Sequence, residues 1–141
     1  MGGQDSSTDY GKAVIYEDFG KMLAEAKPDA ISLTLPTFLH KPLAIQALQA
    51  GVSVLCEKPM SLTSADCAAM LKAAAAAPNG AQLMIAQCLR FWPAFAFLKD
   101  LIEKGKYGKP LSMSFHRMSP LPGWGKGKCW FCDESRSGGV A

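Results

Sequence analysis

The stretch Val52-Ser53-Val54-Leu55-Cys56-Glu57-Lys58-Pro59 constrains this chain more than any other. Four of its first five residues are apolar, which predicts a short buried strand over 52–56. Glu-Lys-Pro stops that strand abruptly, and Gly51 just before it ends a helix-like run. A strand entered from a helix and closed by charge and proline is the local pattern of an open α/β sheet. In such sheets ligands bind beyond the carboxyl ends of the strands, so Glu57 and Lys58 stand where chemistry would occur. A solvated ion pair closing a strand also fits these residues taken alone.

The flanking sequence repeats the alternation. Ala13–Tyr16 is a candidate for a very short strand. Glu17-Asp18 open a helix to about Ala26 that buries Phe19, Met22 and Leu23, and Pro28-Asp29 break it. Ala30–Leu35 reads as a strand. The helix after it carries Pro42 in its first turn and places Leu39, Leu43, Ala47 and Ala50 on one stripe. Thr63 with Asp66 three residues on resembles a capping box and opens an alanine-rich helix to about Ala77. Pro78-Asn79-Gly80 is a turn, and Gln82–Ala86 a further buried strand. Pro93–Lys104 reads as a fourth helix ended by Gly105. Leu111–Arg117 alternates apolar and polar residues, which predicts a half-buried strand of a different sheet.

This order predicts an α/β fold: a partial Rossmann-type parallel sheet with flanking helices and right-handed crossovers, then the start of a second, α+β domain. The expected division is a ragged, disordered stretch over 1–12, a partial dinucleotide-binding domain over 13–109, and the beginning of a substrate-binding domain over 110–141. A length of 141 residues suits one domain or one domain plus part of another.

Composition narrows the classes. A net charge of +3, unclustered, gives no basic surface for nucleic acid or an acidic membrane. No apolar run approaches the roughly 18 residues that span a bilayer. The first residues carry no charged-then-apolar export signal, and Met1-Gly2 with Ser6 matches the loose myristoylation pattern without a basic cluster behind it. Five irregularly spaced cysteines fit a reducing cytoplasm better than a disulfide framework. Cys129-Trp130-Phe131-Cys132 has the spacing of a redox pair or half a zinc site. A redox pair usually opens a helix after a strand, zinc needs two more ligands, and chance in a Gly/Trp loop explains the spacing as well. No metal site is expected.

Four motifs together carry a resemblance. Pro28-Asp29-Ala30 through Leu35-Pro36-Thr37-Phe38-Leu39-His40 is similar to a strand followed by a TPxxLH turn. Ala47-Leu48-Gln49-Ala50-Gly51 running into Val54-Leu55-Cys56-Glu57-Lys58-Pro59 matches ALxAGxxVxxEKP. Gln87-Cys88-Leu89-Arg90-Phe91-Trp92-Pro93 resembles an xRFxP segment, and Gly105–Pro110 resembles a link into a second domain. In this order and spacing they resemble the glucose-fructose oxidoreductase / inositol dehydrogenase (Gfo/Idh/MocA-like) family of NAD(P)-dependent oxidoreductases, over residues 13–118 and more loosely to Ala141.

The resemblance implies a hydride transfer between NAD or NADP and a carbinol of a sugar, polyol or related small molecule. It implies a cytoplasmic protein that is homo-oligomeric at full length, with no nucleic-acid or membrane partner. Lys58 would be the catalytic residue, binding the substrate hydroxyl and assisting its deprotonation. The cofactor-binding set would be Leu35, Pro36, Thr37, His40, Glu57, Lys58, Gln87 and Arg90. Leu35, Pro36 and Thr37 would line the nicotinamide side, with His40 supporting their turn and Glu57 accepting from a ribose hydroxyl. Gln87 and Arg90 would face the cofactor from the next strand end. His40 also reads as an ordinary helix-start histidine, Arg90 as a partner of a surface carboxylate, and Trp92 as packing. Removing hydride from a carbinol requires its hydroxyl proton to leave too. A lysine that takes it near neutral pH needs burial or a neighbouring cation, such as an oxidised nicotinamide.

The family's glycine-rich G-x-G-x-x-G turn is not found in these residues, and Ser137-Gly138-Gly139-Val140-Ala141 resembles the approach to an Asp-x-x-x-His motif. Against that family the sequence reads as an internal piece of a two-domain enzyme more than twice as long. A non-catalytic ligand-sensing or truncated relative that keeps the fold is the alternative reading.

Overall fold

The computed structural model describes residues 11, 13–116, 118 and 130–139. They fall into two units, one holding residues up to 86 together with 130–139, the other holding 87–118.

The first unit begins with α1 (Phe19–Ala26), capped by Asp18, whose carboxylate accepts the Lys21 backbone N–H at 2.6 Å. Lys27, in the left-handed region at φ 44°, ends it. Then come β1 (Ala30–Leu33), a 3₁₀ turn at Thr37–Leu39, α2 (His40–Gln49) and β2 (Ser53–Cys56). Gly51 makes the turn between α2 and β2 at φ +78°, a conformation that calls for glycine; a Cβ there would stand 2.7 Å from Asn79 Nδ2 and displace the end of that side chain. α3 (Ser64–Ala75) and β3 (Leu83–Ile85) complete the sheet. Thr63 Oγ1 caps α3 by accepting the Asp66 N–H at 3.1 Å. The shorter Asp66 side chain turns instead to Lys41 of α2. That ammonium, then the Thr63 hydroxyl, holds the carboxyl below its usual range.

The sheet has the order β1-β2-β3 with both pairings parallel, as the apolar strand–helix alternation predicts. Ile31, Val54 and Leu83 stand in register, as do Leu33, Cys56 and Ile85. These residues form the core with Ala44, Ala47 and Leu48 of α2 and Met70 of α3. The intervening row, Ser32, Leu55 and Met84, looks the other way, with Leu55 41% and Met84 50% exposed. The strands are therefore buried on one face only, not on both as their continuous apolar runs suggest.

Three further expectations are corrected. Ala13–Tyr16 is not a strand; Val14 and Ile15 lie in solvent without a ladder partner. The buried stripe of α2 is His40, Ala44, Ala47 and Leu48, not Leu39, Leu43, Ala47 and Ala50. The 3₁₀ turn winds at three residues per turn, so a stripe extrapolated through Leu39 falls out of phase with the α-helix that follows. In the second unit, residues 111–116 form no strand. Leu111, Met113 and Phe115 are exposed, because no neighbouring strand satisfies their backbone among the described residues. Arg117 and residues 1–10 lie outside the described residues. The second unit otherwise holds a 3₁₀ turn at Cys88–Phe91 and α4 (Pro93–Glu103), with Phe95 between Trp92 and Phe115 at centroid distances of 6.3 and 6.2 Å.

Two outcomes follow from this core. Leu48→Ala removes a fully buried side chain and lowers unfolding free energy by about 2–5 kcal/mol. Leu55→Ala costs under about 1 kcal/mol, since its side chain keeps much of its water contact; urea denaturation of both variants checks the contrast. The Cys56 thiol is pushed up to about 11 by burial and then by the Glu57 charge. Its pKa is raised in the folded state, so its contribution to stability is complete below the ordinary thiol range and is lost as pH rises towards about 11. At pH 8 a thiol reagent is expected to label exposed Cys88 while Cys56 reacts only on unfolding, which mass spectrometry of the labelled chain reads directly.

Candidate active site

The carboxyl ends of β1 and β2 set the site. Their ladder ends where the Glu57 N–H donates to Leu33 O at 3.0 Å. Beyond it the two chains part into the turns 34–39 and 57–60. Between them lies a cavity of about 360 Å³ lined by Thr34, Leu35, Thr37, Glu57, Lys58 and Pro59, and walled further by residues of 130–139.

Leu35, Thr37, Glu57 and Lys58 are thus brought together as the motifs imply. The Glu57 carboxylate accepts the Lys58 backbone N–H through Oε2 at 3.1 Å, leaving Oε1 without a protein donor. Lys58 is exposed, and among the described residues no carboxylate pairs with its ammonium. The two charges are neighbours without being an ion pair, unlike a simple solvated pair closing a strand. Pro36 and His40 are not on the lining. His40 is buried, with Nδ1 2.9 Å from the Pro59 carbonyl oxygen and Nε2 2.8 Å from that of Leu35. Gln87 and Arg90 belong to the second unit, where both are exposed and the Arg90 N–H donates to Gln87 O at 3.0 Å.

Sequence reasoning missed the opposite wall. Trp130 and Phe131, edge to face at 5.9 Å, line the cavity together with Ser137 and Gly139. Two local features hold this segment. Asp133 caps the short α5 (Glu134–Ser137) through the Ser135 N–H at 3.0 Å, and Gly138 ends it at φ +88°. The Arg136 guanidinium lies 4.9 Å over the Phe38 ring, tying the segment to the 37–39 turn. The available signal was the aromatic pair inside Cys129-Trp130-Phe131-Cys132, ahead of Gly138-Gly139. Cys132 is exposed and Cys129 lies outside the described residues. No three metal-ligating side chains come together among the described residues.

The geometry is an apolar slot with one carboxylate and one free amine on its rim. It can bind a flat polar ring against Leu35 and Pro59, accept a hydroxyl proton donor at Glu57, and offer an amine to a second hydroxyl.

Comparison with known proteins agrees with that architecture. A model of the oxidoreductase family with NAD-binding Rossmann fold matches residues 4–86. A D-xylose 1-dehydrogenase [NADP(+)] of Haloarcula marismortui is 33% identical over 109 residues, which is 77% of this chain and 30% of that protein. Inositol 2-dehydrogenase 4 of Saccharopolyspora erythraea is 35% identical over 104 residues, 72% of this chain and 30% of that protein. Among solved structures, the WlbA dehydrogenase of Bordetella pertussis in complex with NADH and UDP-GlcNAcA superposes with a TM-score of 0.62 at 34% identity, over 66% of this chain and 26% of that one. The chain spans about 30% of the length of these two curated relatives. With more than half of its residues inside the family match, a parallel β1-β2-β3 sheet and the Glu57-Lys58-Pro59 turn at its carboxyl edge, this chain belongs to the Gfo/Idh/MocA oxidoreductase family with its NAD-binding Rossmann fold.

Proposed function

We propose that this chain forms the nicotinamide-side half of the active site of an NAD- or NADP-dependent oxidoreductase acting on a carbinol of a sugar or polyol. The observation that carries the reading is the unpaired Lys58 amine beside Glu57 on the rim of an apolar cavity at the strands' carboxyl ends. The names of the relatives, a xylose and an inositol dehydrogenase, support a ring carbinol as substrate.

The residues present fit the nicotinamide-ribose end of the cofactor: apolar Leu35 and Pro59 for the ring, and the free Oε1 of Glu57 for a ribose hydroxyl. When bound, the nicotinamide takes up or returns a hydride. Lys58 Nζ binds the substrate hydroxyl and takes its proton as the carbon loses hydride, so alcohol becomes carbonyl and one proton passes to the protein. Trp130 and Phe131 close the cavity against water and face the apolar side of the substrate ring. The family resemblance alone supports Gln87 and Arg90 as cofactor contacts, and the His40 turn with Pro36 holds Leu35 and Thr37. Residues 13–109 serve the dinucleotide and the chain beyond 110 leads into substrate binding, with its 130–139 segment returning to the Lys58 cavity. The family resemblance supports a full-length protein that works in the cytoplasm as a homo-oligomer.

The sequence of these 141 residues contains no G-x-G-x-x-G motif to form a turn that cradles a pyrophosphate. Its affinity for NADH is expected to be weak or undetectable in a nicotinamide-fluorescence titration, and micromolar binding would show that another element holds the phosphates. In a protein carrying this chain together with such a turn, Lys58→Ala is expected to lower kcat roughly 10²–10⁴-fold with little change in cofactor Kd. Lys58→Arg is expected to be nearly as damaging, since a guanidinium keeps its proton at any working pH. Steady-state kinetics of both variants decides it: an active Lys58→Arg enzyme would make Lys58 an electrostatic anchor and not a proton acceptor.

A further inference from the structure

Three polar side chains are buried among the described residues: Thr37 at 1% exposure, His40 at 1% and Ser137 at 9%. His40 uses both ring nitrogens on backbone carbonyls. The two hydroxyls are not used up in this way. Within the described residues no hydrogen bond reaches Thr37 Oγ1. Ser137 Oγ accepts the Gly139 N–H at 3.0 Å, but its own O–H meets no acceptor. Both residues line the Lys58 cavity. No enclosed side-chain oxygen among the described residues lacks a partner, so the Thr37 oxygen opens onto the cavity it lines. A hydroxyl buried without a partner disfavours folding, and in packing Thr37 offers nothing that a valine of the same shape would not.

The two hydroxyls arrive from different parts of the chain. Thr37 stands in the 3₁₀ turn after β1 and Ser137 ends α5, which packs on that turn. Thr37 offers a donor and lone pairs, and Ser137, with Gly139 on one lone pair, offers chiefly a donor. Around them, Glu57 and Lys58 sum to no charge, so nothing on the lining calls for an anion. Trp130 and Phe131 supply apolar ring surface. The ligand that matches this lining has a saturated ring with an apolar C–H face, and hydroxyls that both give and take hydrogen bonds.

We propose that Thr37 and Ser137 are the specificity-determining pair of the Lys58 cavity, binding ring hydroxyls of an uncharged cyclic polyol other than the carbinol held by Lys58. This rests on the reading of the cavity as a carbinol site and deepens it by naming what the rest of the ring must carry. A ligand that displaces solvent from two buried hydroxyls without replacing its hydrogen bonds leaves them unpaired, so the pair rejects rings that lack the matching groups.

The test titrates the ¹⁵N-labelled 141-residue chain with myo-inositol, cyclohexanol and nicotinamide, following the Thr37 and Gly139 amides. Saturable shifts are expected with myo-inositol, at an affinity at least about tenfold above that of cyclohexanol, which keeps the ring and one carbinol. Thr37→Val and Ser137→Ala are each expected to weaken myo-inositol binding about three- to tenfold and to leave cyclohexanol binding as it was. Thr37→Val is also expected to unfold in urea at or above the wild-type midpoint, because it removes a hydroxyl that the fold does not use. A lower midpoint would show that hydroxyl to be spent inside the fold and would overturn the proposal. So would myo-inositol shifts that do not saturate, equal binding of the two rings, or undiminished selectivity in either variant. Nicotinamide binding that shifts both amides and weakens in both variants would assign the pair to the cofactor ring, and overturns it too. Should Ser137→Ala not fold, the wild-type ligand comparison and Thr37→Val decide. No arm measures turnover or alters Lys58. Selective polyol binding can therefore stand where Lys58→Arg stays active, and Lys58 can remain the proton acceptor where selectivity is absent.

Discussion

The hydrogen-bond ladder on β2 is the constraint on which the first unit depends. This strand pairs with β1 on one edge and β3 on the other, and its Val54 and Cys56 project into the core. Each face of that arrangement limits the other. Val54 and Cys56 find their packing partners in α2 and α3 only because the register places them level with Ile31 and Leu33. The register holds because a slip of one residue would exchange Val54 and Cys56 for Ser53 and Leu55 in the core. The cavity is the place where this ladder stops.

From that end the site is built by separation. While strands are paired, their side chains alternate up and down and their backbone groups are consumed. Once β1 and β2 diverge, backbone and side chains become free to meet a ligand, and polar groups such as Glu57 no longer compete with the ladder. Lys58 follows directly, so its amine is delivered to the rim by strand geometry instead of by a long flexible loop. The aromatic wall of Trp130 and Phe131 reaches the same place from far along the chain, held by a cap at Asp133 and the stacking of Arg136 on Phe38.

Local chemistry made most of the first unit legible in the sequence. Asp18 and Thr63 act as the caps their side chains suggest, and three parallel strands stand where the apolar runs were. The errors have physical origins. Periodicity cannot see that a 3₁₀ turn shifts the phase of α2, so Ala44 and Leu48 are fully buried while Leu43 packs only partly buried against the core and Ala50 is exposed. A continuous apolar run cannot report that only one face of a sheet is covered, so Leu55 was read as buried. Alternation at 111–116 states a preference for a strand but supplies no partner. Of the site, Glu57-Lys58 and the Leu35–Thr37 turn were readable because each follows a strand. Trp130 and Phe131 were not, because no short-range signal says which distant segment returns to the sheet, and the cysteines beside them drew attention to their own spacing.

The bare side of the sheet has a consequence for handling the molecule. Leu55 and Met84 lie level on adjacent strands, forming a narrow greasy strip, and the outer edges of β1 and β3 present unpaired amides and carbonyls among the described residues. Strip and edges together are a template onto which another extended chain can add. A solution of these residues alone will therefore be governed by crowding: dilute samples stay dispersed, and concentrated ones associate through the sheet while α2 and α3 keep the opposite side shielded.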